Sequence, residues 1–295
     1  MSDSTLINLC ESIESIGAKN VCLCGGEPTL RMNTVLSMIE ILKKYAETVS
    51  LTTNGILISN QVAKNLKNSG IDAVQVSIDG NEIQHNWLRC SDYAYARASE
   101  SVEHLLNNDV EVSISFIPNT LNFNCFENIV KKFSELGVAS FRVQPLLILG
   151  RAKHMSDYIL NDAQIIKFGK IIDRLGEDYD CLIEWKNPVD YMDHLINADQ
   201  IEMISIDDHG NLMLIPYVPL SFGNISNHTL GEYCKHGLTV VNKIKSVRRI
   251  LSKILDLDSY SVFNGLSLKT CDIIENSVDE VNDEISSWAA SILEN

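Results

Sequence analysis

The sequence predicts an α/β fold built on a parallel sheet, followed by a smaller α+β extension. Three observations carry this prediction. From residue 4 to residue 148, helical periodicity alternates with short β-branched runs, which is the pattern of right-handed βαβ units. Each predicted strand ends in a polar or glycine-containing cluster, and beyond residue 150 the alternation stops. The first region is therefore expected to form a parallel sheet buried on both faces.

The elements of this region follow one another in a regular order. An apolar stripe through Leu6, Leu9, Ile13 and Ile16 predicts the first helix, and the run VCLCGG predicts the first strand. Four more helices are predicted, one through Val35, Ile39 and Ile41 and the others near residues 58–69, 94–107 and 123–136. The strands that follow these helices are predicted at TVSLTTNG, DAVQVSIDG, EVSISFIPN and SFRVQPLLI.

Beyond residue 150 the sequence predicts a different organisation. A helix near residues 162–176 precedes the run LIEWKN, and MISIDDHGNLMLIP has the apolar alternation of a hairpin around Asp208 and Gly210. Residues 240–255 and 277–293 have the pattern of amphipathic helices. We therefore divide the chain into a core at 1–152, a linker helix and hairpin region at 153–238, and a helical C-terminal segment at 239–295.

Composition and charge exclude several classes of protein. The chain has 295 residues and a formal net charge of −15, which argues against nucleic acid or an anionic membrane as the main partner. The longest basic cluster, KIKSVRR around Arg248, predicts one face of a helix. No apolar run approaches the roughly 20 residues that span a bilayer. Met1 is followed by polar residues rather than by the basic and then apolar pattern of a signal peptide. We therefore expect a cytoplasmic protein.

The cysteines are irregularly spaced. The eight thiols follow no disulfide framework, so they are expected to be mostly free. Cys22 and Cys24 are two residues apart, which places them on the same face of a strand. The simplest interpretation is two buried small hydrophobic residues, because the pair has too few neighbouring ligands for a metal site.

Polar clusters mark the end of every predicted strand. The carboxyl ends of parallel strands lie on one rim, where barrel enzymes place their chemistry. The clusters should therefore converge in space. They are Gly25-Gly26-Glu27-Pro28, Thr52-Thr53-Asn54-Gly55, Ser77-Ile78-Asp79-Gly80, Pro118-Asn119 and Gln144-Pro145.

Three of these clusters and one further string, in this order, carry a resemblance to a known family. GGEPTL, TTNG, VSIDG and HNWLR occur about one per βα unit, and the set resembles the radical S-adenosylmethionine (SAM) superfamily over roughly residues 5–150. The branch with a C-terminal SPASM or twitch extension, which includes peptide and protein maturases, is the most similar, and LGRA at 149–152 resembles the end of its core. The resemblance implies a partial (β/α)6 barrel that lacks its first strand, with strands 2 to 6 present.

The resemblance also implies a SAM site on the rim. SAM carries an ammonium, a carboxylate and ribose hydroxyls, each of which needs a polar partner. Gly25, Gly26, Glu27 and Pro28 match the motif that meets the methionyl amino group. Glycine lets the backbone approach a ligand closely. Glu27 as a simple helix cap is an alternative.

Other rim residues complete this predicted site. Ser77 and Asp79 resemble positions near the ribose, and either Arg89 or Arg97 would pair with the methionyl carboxylate. The last cofactor-binding candidates are Thr53, Asn54 and Gln144. Asn54-Gly55 and Asp79-Gly80 also have the composition of plain turns. In that case Thr53 and Asn54 would orient neighbouring residues rather than touch the cofactor. His85 is expected to be a hydrogen-bonding or surface histidine.

The sequence departs from the family pattern in its cysteines. Members hold a [4Fe-4S] cluster on a CxxxCxxC motif after the first barrel strand. This sequence contains neither that strand nor that motif. We expect the missing part to be supplied by a lost upstream segment, by a separate polypeptide, or not at all in a rearranged pseudoenzyme. Ile215 stands where the extension's hairpin has a cysteine, and Cys234 and Cys271 are too few for a full auxiliary cluster.

Three functions follow from these observations. The leading one is the larger part of a radical SAM enzyme, inactive alone, that cleaves SAM reductively to a 5′-deoxyadenosyl radical and modifies a peptide or protein. The second is a cluster-free binding subunit that presents a peptide to an active partner. The third is an unrelated β/α-barrel enzyme for a small anionic metabolite, although no GxxxxGK[ST] or GxGxxG segment is present. The sequence assigns no catalytic residue and no metal ligand.

Overall fold

The structure is a computed structural model that describes residues 1–254 and 258–293. The chain divides into two compact units. The sheet unit is Gly17–Leu146 with Tyr158–Lys186, and the helical unit is Met1–Ile16, Leu147–Asp157 and Asn187–Asn295. This grouping differs from the predicted boundaries at 152 and 238, because α1 (Asp3–Ser12) packs with α9 (Leu230–Lys235) late in the chain.

Six parallel strands form one sheet among the described residues of the sheet unit, in the order β1-β2-β3-β4-β5-β6. The strands are β1 (Asn20–Leu23), β2 (Thr48–Thr53), β3 (Ala73–Ser77), β4 (Glu111–Phe116), β5 (Ser140–Val143) and β6 (Leu182–Trp185). The helices are α2 (Met32–Leu42), α3 (Asn60–Ser69), α4 (Glu82–Arg89), α5 (Ala94–Leu106), α6 (Phe126–Glu135) and α7 (Asp162–Asp178).

The predicted α/β class is confirmed, with one strand added. The sequence predicted five strands and left LIEWKN in the linker, whereas residues Leu182–Trp185 pair with β5 as a sixth parallel strand. Leu182 is exposed and the other three residues are only half-buried, so this strand has no continuous apolar run to reveal it. Helix α4, between β3 and α5, was also not predicted.

The two faces of the sheet differ in polarity. Along β2, β3 and β4 buried residues alternate with half-exposed ones, so the expected burial of both faces is wrong. The buried face packs on an aromatic cluster in which Phe126 contacts Phe116 at 4.8 Å and Phe168 at 5.1 Å between ring centroids. The other face carries polar side chains, and we call it the polar face: Cys22, Ser50, Thr52, Gln75, Ser77, Ser113, Ser115, Arg142 and Glu184.

The helical unit contains a second, four-stranded sheet in the order β10-β9-β8-β7 among its described residues. Its strands are β7 (Ser205–Ile206), β8 (Asn211–Met213), β9 (Leu220–Asn224) and β10 (Lys269–Thr270). The predicted hairpin is confirmed, since β7 and β8 pair antiparallel and the backbone N–H of Gly210 donates to the carbonyl of Asp207 at 3.0 Å. Phe222, Tyr233 and Tyr260 are fully buried in the core of this unit.

The remaining helices of this unit are α8 (Pro188–Asn197), α10 (Lys245–Leu251) and α11 (Val278–Leu293). Helix α11 confirms the helix predicted at 277–293. The helix predicted at 240–255 is a 3-10 helix over Leu238–Lys243 followed by α10, and residue 255 lies outside the described residues, as do 256–257 and 294–295 of the predicted C-terminal segment. In the described ranges, no helix combines the length and apolar character needed to span a membrane.

Candidate functional site

Glu27 joins the ends of the first two strands of the sheet unit. Its Oε1 accepts hydrogen bonds from the Thr29 hydroxyl at 2.6 Å and the Thr53 hydroxyl at 2.7 Å, and its Oε2 accepts from the Asn54 backbone N–H at 2.8 Å. Oε1 also accepts from the Thr29 backbone N–H at 3.1 Å, which caps the 3-10 helix that begins at Pro28. Three predicted site residues, Glu27, Thr53 and Asn54, are therefore in direct contact.

Gly25 and Gly26 precede this network on an exposed loop. A side chain built at either glycine would meet no atom within 4 Å, and Gly25 has a φ of +105°, a conformation that favours glycine. The space beside the two residues is open, so a ligand can approach their backbone carbonyl groups. This access is what an ammonium group needs, since it binds by donating hydrogen bonds to oxygen.

Asp79 is committed to contacts within the protein. The residue is 5% exposed, its Oδ2 is ion-paired with Arg89, and its Oδ1 accepts from the backbone N–H of Ile117 at 3.0 Å. These contacts tie the loop after β3 to the end of α4 and to the loop after β4. Asp79 and Arg89, predicted for different parts of SAM, are thus partners of each other.

His85 supports the same loop. The Asp79 backbone N–H donates to its Nδ1 at 3.0 Å. Burial, with the charge of Arg89, lowers the pKa of His85 to about 4, against the opposing effect of Asp79. The imidazole is therefore neutral at physiological pH, with Nδ1 as an acceptor, which confirms the hydrogen-bonding alternative. The buried Asn122 also donates to the Asp79 carbonyl at 2.8 Å.

The other predicted residues lie in varied places. Ser77 ends β3 on the polar face, beside Ser115 of β4, and Gln144 follows β5, where its backbone N–H donates to Phe116 at 3.1 Å. Arg97 lies on α5 with its side chain 60% exposed, paired with Glu100 at 3.1 Å. The structure does not bring Arg97 into the Glu27 or Asp79 networks.

Arg142 is a cation that the sequence reasoning missed. It lies on β5 next to Ser115 in register, is exposed, and has no ion-pair partner among the described residues. The neighbouring acid on the polar face, Glu184, pairs instead with Lys186 at 2.6 Å. The alternation of SFRV in β5 already placed Arg142 on the face opposite Phe141 and Val143, and this signal would have identified it.

Arg142 also acts electrostatically on the first strand of the sheet. Its charge is the smallest of the effects that lower the pKa of Cys22 on β1, so the two side chains of the polar face influence each other.

Cys22 and Cys24 are exposed rather than buried, so the prediction of two buried small hydrophobic residues is wrong. The reason is that β1 is an edge strand of the described sheet, and these side chains lie on its open polar face. The Cys24 thiol donates a hydrogen bond to Cys22, which, with smaller effects of Thr52 and Ser50, lowers the pKa of Cys22 to about 5 and raises that of Cys24. Cys22 is therefore the thiolate of the pair.

This assignment predicts a pH-dependent reactivity. Only a thiolate attacks an alkylating reagent, so iodoacetamide should still modify Cys22 at pH 6, as measured by peptide mass spectrometry across pH 5 to 9. Cys24→Ala removes the donor and should shift the Cys22 profile to higher pH, whereas Cys24→Ser keeps a donor and should retain it. Identical profiles for the two variants would contradict the assignment.

Two adjacent thiols do not fit a [4Fe-4S] cluster. Such a cluster takes cysteine thiolates on at least three of its irons in the family that the sequence resembles, and Cys22 and Cys24 supply two. Within the described residues, the one group of three or more metal-ligating side chains whose ligand atoms lie within 4.8 Å is Asp207, Asp208 and His209 on the hairpin turn, and it contains no thiol.

Comparison with known proteins gives one family and several relatives. A model of the radical SAM superfamily matches residues 1–133. An AdoMet-dependent heme synthase of Nitratidesulfovibrio vulgaris is 24% identical over 157 residues, which are 53% of this chain and 42% of the relative. A probable GTP 3′,8-cyclase of Sulfurisphaera tokodaii is 25% identical over 181 residues, 61% of this chain and 56% of the relative. The chain thus spans about half the length of the curated relatives that it matches.

Solved structures share the fold at low sequence identity. Native anSMEcpe with bound AdoMet has a TM-score of 0.64 at 18% identity, covering 100% of this chain and 90% of that chain. Streptococcus suis SuiB bound to S-adenosylmethionine has a TM-score of 0.66 at 12% identity, covering 94% of this chain and 70% of that chain. These similarities establish the architecture of the sheet and its helices.

Proposed function

We propose that this chain, whose residues 1–133 match a model of the radical SAM superfamily, is the larger part of a cytoplasmic enzyme that binds SAM at the rim of β1 to β3. The observation that carries the proposal is the open backbone of Gly25 and Gly26 beside the Glu27 network. The proposed chemistry is reductive cleavage of SAM to start radical modification of a peptide or protein. The part that these residues play is to hold the cofactor.

The geometry favours specific partners for SAM. Glu27 has one oxygen, Oε2, with a single hydrogen bond, so this oxygen and the glycine carbonyl groups are available to the methionyl ammonium. Arg89 and Arg97 are both paired with acids. Arg142 is therefore a third candidate partner of the methionyl carboxylate, and it can bind that group without breaking an existing ion pair. Ser77 and Gln144 remain proposed contacts on the same polar face.

An exposed apolar surface supports a peptide or protein substrate. Helix α4 starts directly after the rim residue Gly80, and it carries Ile83 at 78% and Trp87 at 52% exposure, followed by Tyr93 at 60%. Clusters of large exposed apolar side chains are typical of interaction sites. The neighbour SuiB is described in complex with the precursor peptide SuiA. The curated relatives named for heme synthesis and GTP cyclisation make a small molecule the competing substrate class.

A substitution at Gly26 tests the cofactor site. We expect Gly26→Val to leave the unfolding midpoint unchanged, because no atom lies within 4 Å of the added Cβ, and to weaken SAM binding at least about tenfold by filling the approach to the backbone. Equilibrium dialysis with labelled SAM measures the affinity. Gly169→Val, at an equally open glycine in α7, is the matched control. Unchanged affinity in Gly26→Val would place SAM elsewhere.

The complete activity requires ligands for a cluster from outside these residues. The test is to express the chain with and without its native upstream DNA, reconstitute both products with iron and sulfide under anaerobic conditions, and measure iron content and the visible spectrum. A cluster in the longer product alone supports the proposal. No cluster in either product, with no partner that supplies one, refutes a catalytically complete enzyme.

A cluster-free binding subunit is the second candidate. The observation that favours it is that Glu27, Asp79, Arg89 and Arg97 all have partners within the protein, as expected of residues kept for structure. This alternative predicts a colourless protein that binds a peptide or partner chain in pull-down and calorimetry. A bound cluster in the purified chain would rule it out.

A further inference from the structure

The helical unit contains a cationic cavity that the proposed function does not use. Helices α10 and α11 enclose about 520 Å³ between them, together with one residue of α8. The polar residues that matter here are Lys245, Ser246, Arg248, Ser252, Asn282 and Ser286. Part of the basic run KIKSVRR, expected to form one helix face, therefore lines a cavity.

The charged residues that line this cavity are basic, although the chain as a whole is negatively charged. Lys245 and Arg248, together with Arg249, line one side of it, in a protein whose formal net charge is −15. Lys245 and Arg248 have no ion-pair partner within residues 1–254 and 258–293. Like charges held close together repel one another, so an anion between them would remove an unfavourable interaction.

The interior of the cavity supplies hydrogen-bond donors. Ser246 is 2% exposed, and its buried hydroxyl has no hydrogen-bond partner in the described structure. A buried polar group without a partner is unusual, and a bound ligand that accepts a hydrogen bond would satisfy this hydroxyl. Asn282 accepts from the Ser246 backbone N–H at 3.0 Å through its Oδ1, which leaves its amide N–H groups as further donors.

The described side chains that line this site are basic, neutral polar or apolar. None of the described residues that line the cavity is an acid, although α11 carries several. Asp283 and Glu284, which follow Asn282, line a separate cavity with Lys269, and Lys269 pairs with Glu284 at 2.8 Å. The described lining thus offers cations, hydroxyls and an amide, a set that donates hydrogen bonds from several directions.

We propose that the cavity between α10 and α11 binds an oxyanion of the phosphoryl class, held by Lys245, Arg248, Asn282 and the buried hydroxyl of Ser246. A tetrahedral phosphoryl group has three or more acceptor oxygens, which match donors converging from two helices better than the two oxygens of a carboxylate do. The cavity is larger than one phosphate, so it also accommodates a small phosphate monoester. This inference is independent of SAM binding, and its test involves no cofactor.

The test is calorimetric titration of the full chain with inorganic phosphate at low ionic strength. Arg248→Gln and Lys245→Gln should each weaken the binding of phosphate at least about tenfold, since each removes a charge-assisted contact. Lys253→Gln is the matched control, because Lys253 is an exposed cation near the same helix that does not line the cavity. Absence of phosphate binding in the native chain, or an equal loss in Lys253→Gln, would overturn the proposal.

Ser246→Ala separates ligand binding from folding. The Ser246 hydroxyl has no partner among the described residues, so its removal should leave the urea unfolding midpoint unchanged or slightly higher. The same substitution should weaken the binding of phosphate about fivefold or more. Comparison of inorganic phosphate with glycerol phosphate identifies the source, and tighter binding of either supports the phosphoryl class. Binding of acetate as tight as that of phosphate would overturn it.

Discussion

Replacement of Asp79 by alanine should lower the free energy of unfolding by about 3 kcal/mol or more, because it removes a buried charge from its partners. The Ile117 backbone N–H loses its acceptor and Arg89 loses its counter-ion. Asp79→Asn keeps an acceptor for Ile117 and should lose about half as much. Urea unfolding of both variants measures the difference.

Asp173→Ala provides the control for this experiment. Asp173 lies on the exposed side of α7 in the same unit, and surface substitutions of this kind usually change stability by less than about 0.5 kcal/mol. A loss in Asp79→Ala no greater than in Asp173→Ala would mean that the Asp79 network does not hold the rim, and would return Asp79 to a purely ligand-binding role.

Replacement of Glu27 by alanine is the second large effect, with an expected loss of about 2–4 kcal/mol. Four donors lose their acceptor: the Thr29 N–H and hydroxyl, the Thr53 hydroxyl and the Asn54 N–H. Thr53 is only 2% exposed, so water cannot fully replace the carboxylate there, and a buried donor without a partner costs about 1–3 kcal/mol. Thermal and urea unfolding give the value.

Two further variants test this prediction: Glu27→Gln is the conservative substitution, and Glu47→Ala is the exposed control. Glutamine keeps one oxygen but turns an amide N–H₂ group toward N–H and hydroxyl donors, so it should be intermediate between wild type and Glu27→Ala. Glu47 makes only an exposed ion pair with Lys19 at 3.1 Å, and pairs of this kind contribute about 0–1 kcal/mol. Should Glu27→Ala be as stable as Glu47→Ala, the carboxylate would be free for a ligand rather than committed to the fold.

Much of the sheet unit was predictable because its strands have a strong local signal. The apolar residues of β2, β3 and β4 fall at every second position, and each strand is followed by a helix and a turn cluster. The sixth strand, Leu182–Trp185, lacked this signal, since its side chains are half-buried or exposed. Its place in the sheet depends on pairing with β5, which no local pattern encodes.

The candidate site was predictable in its residues but not in their partners. The sequence placed Glu27, Thr53 and Asn54 on one rim, and the structure joins them by hydrogen bonds. It named Arg89 and Asp79 for separate ligand groups, yet they bind each other. Which charges pair depends on distances between loops far apart in sequence, and only the folded chain sets those distances.

By itself the sequence determined the alternation of strands and helices, the order of rim motifs, the resemblance to radical SAM proteins and the hairpin around Asp208. These features follow from periodicity and turn chemistry, which act over a few residues. Tertiary structure alone decided that Cys22 and Cys24 are exposed at an edge strand, that Arg142 has no ion-pair partner among the described residues, and that basic residues of α10 line a cavity with residues of α11. The reason is physical: burial, pairing and pKa depend on which surfaces meet across long stretches of chain, and that is set by packing of the whole fold.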